Sequence, residues 1–260
     1  MSARKSLEVR LAQSEAEIDA AQALRYRVFY EELNAEPDEA TRQSQRDMDA
    51  LDARCDHLLV LDHGDGNVTP KVVGTYRMNL QPENPDGGAF YSAGEFDLSP
   101  LLTYPGRLLE VGRSCVAPEY RRGAVMQLLW AGIAEYIATH DVGLMFGCAS
   151  FPGSDPAEQA QGLAYLYHHH LAPPSIRPRA VEGRYVAMDL QSREEIDTGK
   201  AKAALPPLIK GYLRLGGCVG DGAVVDPQFD TVDICMLVEA SGIAEKYVRF
   251  YRERHPAKAA

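Results

Sequence analysis

The run Leu109-Glu-Val-Gly-Arg-Ser-Cys115 puts a carboxylate and a guanidinium, Glu110 and Arg113, three residues apart in an apolar stretch. Strict strand alternation sends these two side chains to opposite faces. Gly112 between them is a natural bulge position, and a bulge turns both toward one cleft while freeing backbone N–H and C=O groups for a ligand. A carboxylate so placed can take a proton from an amine, and a free N–H can stabilise a developing oxyanion. The alternative is a partly buried structural ion pair. Val116-Ala-Pro-Glu-Tyr-Arg-Arg-Gly123 follows, a strand end, a turn with arginines and glycine, then a helix, which together make a ready anion site.

Other charged residues stand where a structural role and a functional role compete. Arg25 and Phe29 are four apart on a predicted helix and share a face. Arg25 lies inside the stripe of Ile18, Ala21 and Val28, either as a ligand contact or as an arginine snorkelling at the core edge. Asp49 and Asp52, with Asp47 and Asp56, read first as a solvated charge run. Arg77 sits mid-strand between Val73 and Leu80 and needs an anionic partner or ligand. The five cysteines show no zinc-type spacing and read as reduced thiols. Cys115 and Cys148 fall in apolar strands with no activating histidine, so inert thiols are expected. His168, His169 and His170 point in different directions on a helix, and no metal site is expected from them.

The elements that must position these groups read along the chain. Leu7–Leu11 is a short strand, and Ser14 opens a helix to about Leu33, with Glu17 completing a capping box. Residues 34–56 look too polar and irregular to be core. His57–Leu61 and Lys71–Leu80 form a hairpin around Gly64-Asp-Gly-Asn67, a Pro/Gly loop spans 82–88, and Arg107–Val116 is a further strand. Pro118 to about Thr139 is helical and Val142–Cys148 is a buried strand, so the middle reads β-β-β-α-β. Pro206 and Pro207 open a short helix closed by Gly216-Gly217, two strands flank Asp226, and a last helix starts near Gly242. The 260 residues read as one domain, with a distinct distal region over about 150–260. A net charge of −10 excludes a general nucleic-acid binder. No run is long enough to span a bilayer and the start lacks a secretion signal, so a cytoplasmic protein is expected.

Taken in order, Arg25 and Phe29, Asp49 and Asp52, Arg77, Phe96, then Glu110 and Arg113 resemble the motif set of the acyl-homoserine-lactone synthases. The distal half discriminates further. Phe146-Gly-Cys-Ala-Ser-Phe151 with Asp155-Pro156, Leu205–Leu215 and Gly220-Asp-Gly-Ala-Val224 resemble the bacterial ornithine-lipid N-acyltransferases, a hemolysin-like branch of the GNAT enzymes, over roughly Leu7 to Tyr251. The resemblance implies an α/β GNAT-like acyl-CoA N-acyltransferase fold, a central mixed twisted sheet flanked by helices with a C-terminal extension. It implies transfer of a (3-hydroxy)fatty acyl group from acyl carrier protein to the α-amine of L-ornithine, with glutamine or lysine as other acceptors. A homoserine-lactone synthase using S-adenosylmethionine is the second enzymatic reading, and a non-catalytic lipid-binding protein is a third.

By the same resemblance Glu110 is the general base, paired with Arg113. Arg25, Phe29, Asp49, Asp52, Arg77, Phe96, Cys148 and Ser150 are expected around the substrates: an arginine for the amino-acid carboxylate, and Asp49 with Asp52 for a cationic side chain. No cofactor is implied beyond the phosphopantetheine arm of the acyl carrier protein. The Arg121-Arg-Gly-Ala124 loop lacks the second small residue that wraps a coenzyme A pyrophosphate. Arg121, Arg122, Lys210 and Arg214 are therefore the expected docking residues for an acidic carrier. An amphiphilic product suggests peripheral contact with the inner face of the bacterial inner membrane, aided by Lys246, Arg249, Arg252 and Arg254.

Overall fold

The computed structural model describes residues 6–64, 69–82 and 90–243, and within them apolar runs and turn residues set out nine strands and seven complete α-helices. In chain order the first elements are β1 (Leu7–Leu11), α1 (Glu15–Tyr26), α2 (Glu39–Ser44), β2 (Asp56–Asp62), β3 (Lys71–Leu80), β4 (Phe96–Asp97), α3 (Ser99–Leu102) and β5 (Arg107–Val116). They are followed by α4 (Val125–Thr139), β6 (Val142–Pro152), α5 (Ala160–His170), β7 (Arg179–Ala180), α6 (Thr198–Ala204), α7 (Pro207–Arg214), β8 (Cys218–Asp226) and β9 (Thr231–Glu239). The chain packs as two compact units, one holding the described residues of 1–80 and 111–140, the other those of 81–110 and 141–243.

In the first unit β1, β2 and β3 pair antiparallel in sequence order, with the second half of β5 beyond β3. Leu58, Leu59, Val60 and Leu61 of β2 are all buried. Successive buried positions mean both faces are covered, and α1 and α4 pack on these strands. Each such side chain contributes roughly 1.5–3 kcal/mol on burial. Gly132 lets α4 approach closely, because a Cβ there would meet Leu58 Cδ1 at 2.8 Å and Val9 Cγ2 at 2.9 Å. Ser14 caps α1 by accepting from Glu17 N–H, while the Glu17 carboxylate takes the Gln13 N–H at 2.7 Å and Arg10.

The second unit has the order β5 (first half), β6, β9, β8, β7, β4. β5 and β6 are parallel, as are β7 and β8; β6 with β9, β9 with β8, and β4 with β7 are antiparallel. Its core joins Phe90, Phe96, Leu98, Leu101, Leu108, Leu144, Phe146 and Leu237. Phe90 meets Phe146 edge to face at 5.0 Å.

Several expectations need correction. The helix expected to continue to Leu33 does so, but Arg27–Glu32 winds as a π-helix, with Leu33 N–H donating to Val28 C=O at 3.1 Å. The helix expected from Pro118 begins at Val125. Pro118–Tyr120 is a tight 3₁₀ turn and Gly123 N–H bonds back to Tyr120 C=O at 3.1 Å, which uses up the intervening residues. The stretch 34–56 is not a solvated run: it contains α2, and Asp47 and Asp52 are only 2% and 6% exposed. β6 extends past Cys148 to Pro152. The hairpin tip at 65–68, most of the Pro/Gly loop at 83–89, and Lys246, Arg249, Arg252 and Arg254 lie outside the described residues; the last helix is described only from Ala240 to Ile243.

Candidate active site

Glu110 is the last residue of β5 to pair with β6, opposite Phe146. Leu108 and Leu109 anchor this end of the strand in the core, which leaves the Glu110 side chain 4% exposed. A carboxylate buried this deeply requires donors. It has them in the short 3₁₀ turn Tyr91–Gly94 of the same unit: Oε2 accepts the Tyr91 N–H at 2.8 Å and Oε1 the Ser92 N–H at 2.7 Å. A carboxylate oxygen can accept more than one hydrogen bond, which suits a group that must also meet a substrate proton.

Ser92 leads to a group that the sequence reading partly missed. Cys148 of β6 is partly exposed, and its sulfur lies 3.4 Å from Ser92 Oγ and 3.2 Å from Glu95 Oε2. Glu95, Asp226 of β8 and Asp233 of β9 are all buried, and each brings a carboxylate oxygen within 4.8 Å of the other two. Burial pushes the Glu95 carboxyl up to about 7, and the charge of Asp233 adds to the effect. Burial also raises Asp233, against a hydrogen bond from Ser150. The Cys148 thiol is pushed well above its ordinary value by burial and by the negative neighbours Glu95 and Asp233. Arg184 is the cation here, with Nη2 at 3.4 Å from Glu95 Oε1 and further bonds to the Gly94 and Val225 carbonyls. Cys148 and Ser150, both expected near substrate, share one face of β6, with Ser150 exposed opposite Asp233. Phe96, adjacent to Glu95, is 1% exposed and belongs to the core packing of the unit. Glu95 gave no signal with Asp226 and Asp233 in the sequence, because it lies in a different part of the chain from those two.

In the first unit the expected arginines and aspartates meet one another. Arg25 Nε lies 2.6 Å from Asp47 Oδ2, and its two terminal nitrogens take Asp52 at 3.0 and 3.1 Å. Arg77 Nη1 donates to Asp49 at 2.7 Å and to Asp52 at 3.0 Å. Arg113 reaches Asp47 at 3.2 Å and Asp49 at 3.6 Å. The Tyr30 hydroxyl adds a bond to Asp47 at 3.2 Å. Burial pushes Asp52 up, but Arg25 and Arg77 outweigh it and hold the carboxyl at about 2; Asp49 is likewise lowered, by Arg77 and Arg113. The cations that meet Asp49 and Asp52 are thus this chain's own arginines, and the anions that meet Arg25 and Arg77 are its own aspartates. Arg113, next to the Gly112 at which a bulge is expected, carries a positive φ of 50°. Phe29 is half-buried on the π-helical turn. Asp47, named only as a neighbour in the sequence, and Tyr30 complete the group.

Of the expected docking residues, Arg121 is already engaged. It pairs through both terminal nitrogens with Glu32 and through Nε with the Val116 carbonyl at 3.1 Å. Arg122 is exposed in the same turn. In the second unit Arg214 is exposed on α7, and Lys210 Nζ bonds the Ala203 carbonyl at 2.8 Å.

The acetyltransferase (GNAT) domain family matches residues 24–131. The chain is 48% identical over 249 residues to the L-ornithine N(alpha)-acyltransferase of Rhizobium meliloti (strain 1021), covering 95% of this chain and 84% of that one. It is 43% identical over 250 residues to the enzyme of the same name from Rhodobacter capsulatus, covering 96% of each. The solved structure of FeeM, an N-acyl amino acid synthase from uncultured soil microbes, shares the fold at a TM-score of 0.52 and 12% identity, over 92% of this chain and 94% of that one. With its parallel β5–β6 pair inside a mixed, helix-flanked sheet arrangement, the protein has the GNAT acyltransferase fold, and by these likenesses the chain belongs to the L-ornithine N(alpha)-acyltransferase family.

Proposed function

We propose that the protein transfers a (3-hydroxy)fatty acyl group from acyl carrier protein to the α-amine of L-ornithine, giving lyso-ornithine lipid. Kinship with ornithine acyltransferases along nearly the whole chain is the observation that carries this reading. The chemistry is attack of a neutral amine on a thioester: the C–N bond forms, the C–S bond breaks, and the pantetheine sulfur leaves as a thiolate. The α-ammonium must first lose a proton, and Glu110 accepts it directly or through one water. The two amides that bind Glu110 fix its position for that task. The nitrogen loses a second proton as the amide forms and the leaving thiolate takes up one, so acylation of the ammonium releases one proton overall.

In this reading the arginine–aspartate group of the first unit holds Arg113 in its left-handed conformation and orders the end of β5. The phosphopantetheine arm of the donor needs no further cofactor. The basic residues assigned to carrier docking are Arg121 and Arg122 in the first unit and Lys210 and Arg214 in the second. Among the described residues no helix is long and apolar enough to cross a membrane, so contact with the inner face of the membrane is proposed as peripheral. Incubation of the protein with 3-hydroxyacyl carrier protein, the matching acyl-coenzyme A and a panel of amino acids, followed by mass spectrometry, tests the reading. Acyl-ornithine formed preferentially from the carrier protein supports it. A glutamine or lysine product assigns a different acceptor, and a homoserine lactone formed from S-adenosylmethionine replaces the reaction.

A further inference from the structure

The carboxylates of Glu95, Asp226 and Asp233 form a concentration of negative charge in the second unit that the acyl-transfer chemistry does not require. Three buried acids within 4.8 Å repel one another, and Arg184 at 3.4 Å from Glu95 balances only part of that charge. A second feature points to a missing partner. Asp233 is 5% exposed, and among the described residues its Oδ1 accepts no hydrogen bond. A buried carboxylate oxygen with no donor is costly and calls for one from outside the chain. Asp226 Oδ1, by contrast, already accepts the Gln228 and Phe229 N–H groups at 2.8 and 3.1 Å. Ser150, exposed opposite Asp233, and partly exposed Cys148 mark the face from which a ligand reaches these acids.

We propose that Glu95, Asp226 and Asp233 form the subsite for the side-chain ammonium of the acceptor amino acid. The proposal rests on ornithine as acceptor and extends that reading to how its side chain is recognised. An ammonium has three N–H donors, one for each carboxylate, and charge-assisted bonds of this type are the strong ones. A divalent ion fits less well, since calcium and magnesium take about six or more oxygens and only three residues converge here. Ser92 connects the subsite with the reaction centre: its N–H holds Glu110 at 2.7 Å, and its hydroxyl lies 3.4 Å from the Cys148 sulfur that contacts Glu95. One end of a diamino acid is thereby held while the other faces the base.

The groups around Glu95 are Asp233 and Cys235 on β9, Asp226 on β8, Cys148 on β6, Arg184, and Ser92. Burial holds the Glu95 carboxyl at about 7, so the empty subsite keeps a proton near neutrality that the bound ammonium displaces. Ornithine should therefore bind more tightly as pH rises from 6 to 8, beyond any change seen with norvaline, which has the same α-amine and chain length but no side-chain amine.

The test compares kcat/KM for ornithine and norvaline, a ratio independent of the fraction of folded protein. In Asp233→Asn, and in Glu95→Gln as the second variant, the ornithine-to-norvaline ratio should fall about tenfold or more, mainly through the KM for ornithine. An unchanged ratio in both variants, or matching pH profiles for the two amino acids with the unmodified protein, overturns the subsite while leaving ornithine acylation intact. Loss of activity on chelation, restored by a divalent cation, also overturns it in favour of a metal. Absence of any ornithine acylation by the unmodified protein would instead sink the functional reading itself.

Discussion

Replacing Asp52 by asparagine keeps the shape of the side chain and removes one charge from the centre of the arginine–aspartate group. Asp52 accepts two bonds from Arg25, one from Arg77 and one from Gln22, all between 3.0 and 3.1 Å. Its carboxyl titrates at about 2 in the folded chain against an ordinary value of 3.8. At about 1.36 kcal/mol per tenfold change in proton affinity, that difference is worth roughly 2 kcal/mol at neutral pH. The substitution also leaves two buried guanidinium groups short of an anion, and breaking a buried pair from one side costs about 3–5 kcal/mol. Because Asp47 and Asp49 remain, the expected loss lies near the lower end, about 2–4 kcal/mol. The assay is urea unfolding of both proteins at several pH values. A carboxyl with a depressed folded-state value stabilises above the unfolded value of 3.8 and loses that contribution as pH falls toward 2. The gap between the two proteins should be full at pH 7 and shrink steadily below pH 4. A loss under about 0.5 kcal/mol at pH 7, typical of an exposed pair, would refute the network as a stabilising element, as would a gap that ignores pH.

Three further outcomes follow from the site. Glu110→Gln should keep the fold at reduced stability, since its NH2 faces the Tyr91 or the Ser92 N–H, and should slow amide formation by the folded protein about 10²–10⁴-fold, the range for loss of a general base; near-normal turnover at neutral pH would remove Glu110 from that role. Burial pushes the Cys115 thiol up to about 12, so Cys115→Ala should retain activity, and intact-mass analysis during turnover should find no acyl thioester on Cys115 or Cys148. Arg122→Glu and Arg214→Glu should raise the KM for acyl carrier protein more than that for ornithine, with an effect that fades in high salt. Arg121→Glu should also destabilise the fold, since it places like charge against Glu32.

What could be read from the sequence follows from the range of the interactions involved. β5 matches its expected bounds and β3 does too, because apolar strand runs ended by turn residues are local signals. The start of α4 was misplaced because Pro118 is equally at home at a helix start and in the 3₁₀ turn that it opens. Asp47 and Asp52 looked solvated because their neutralising partners, Arg25, Arg77 and Arg113, come from three other parts of the chain. Ordered motifs nevertheless singled out both sides of that group. Glu95 escaped notice for the opposite reason: it has no charged neighbour in sequence with motif-like spacing, and Asp226 and Asp233 reach it only through the pairing of β8 with β9. The positive φ at Arg113, whose guanidinium meets Asp47 and Asp49, likewise has no local signal, since a non-glycine residue rarely adopts it.

The most direct measurement uses ornithine labelled with ¹⁵N at the α-amine, incubated with the protein and 3-hydroxyacyl carrier protein, with the product resolved by tandem mass spectrometry. Deprotonation beside Glu110 together with retention of the side-chain ammonium by Glu95, Asp226 and Asp233 predicts one product, with the label in the amide and a free side-chain amine. An unlabelled amide formed on the side-chain nitrogen, or no amide with ornithine while another amino acid is acylated, would contradict the account.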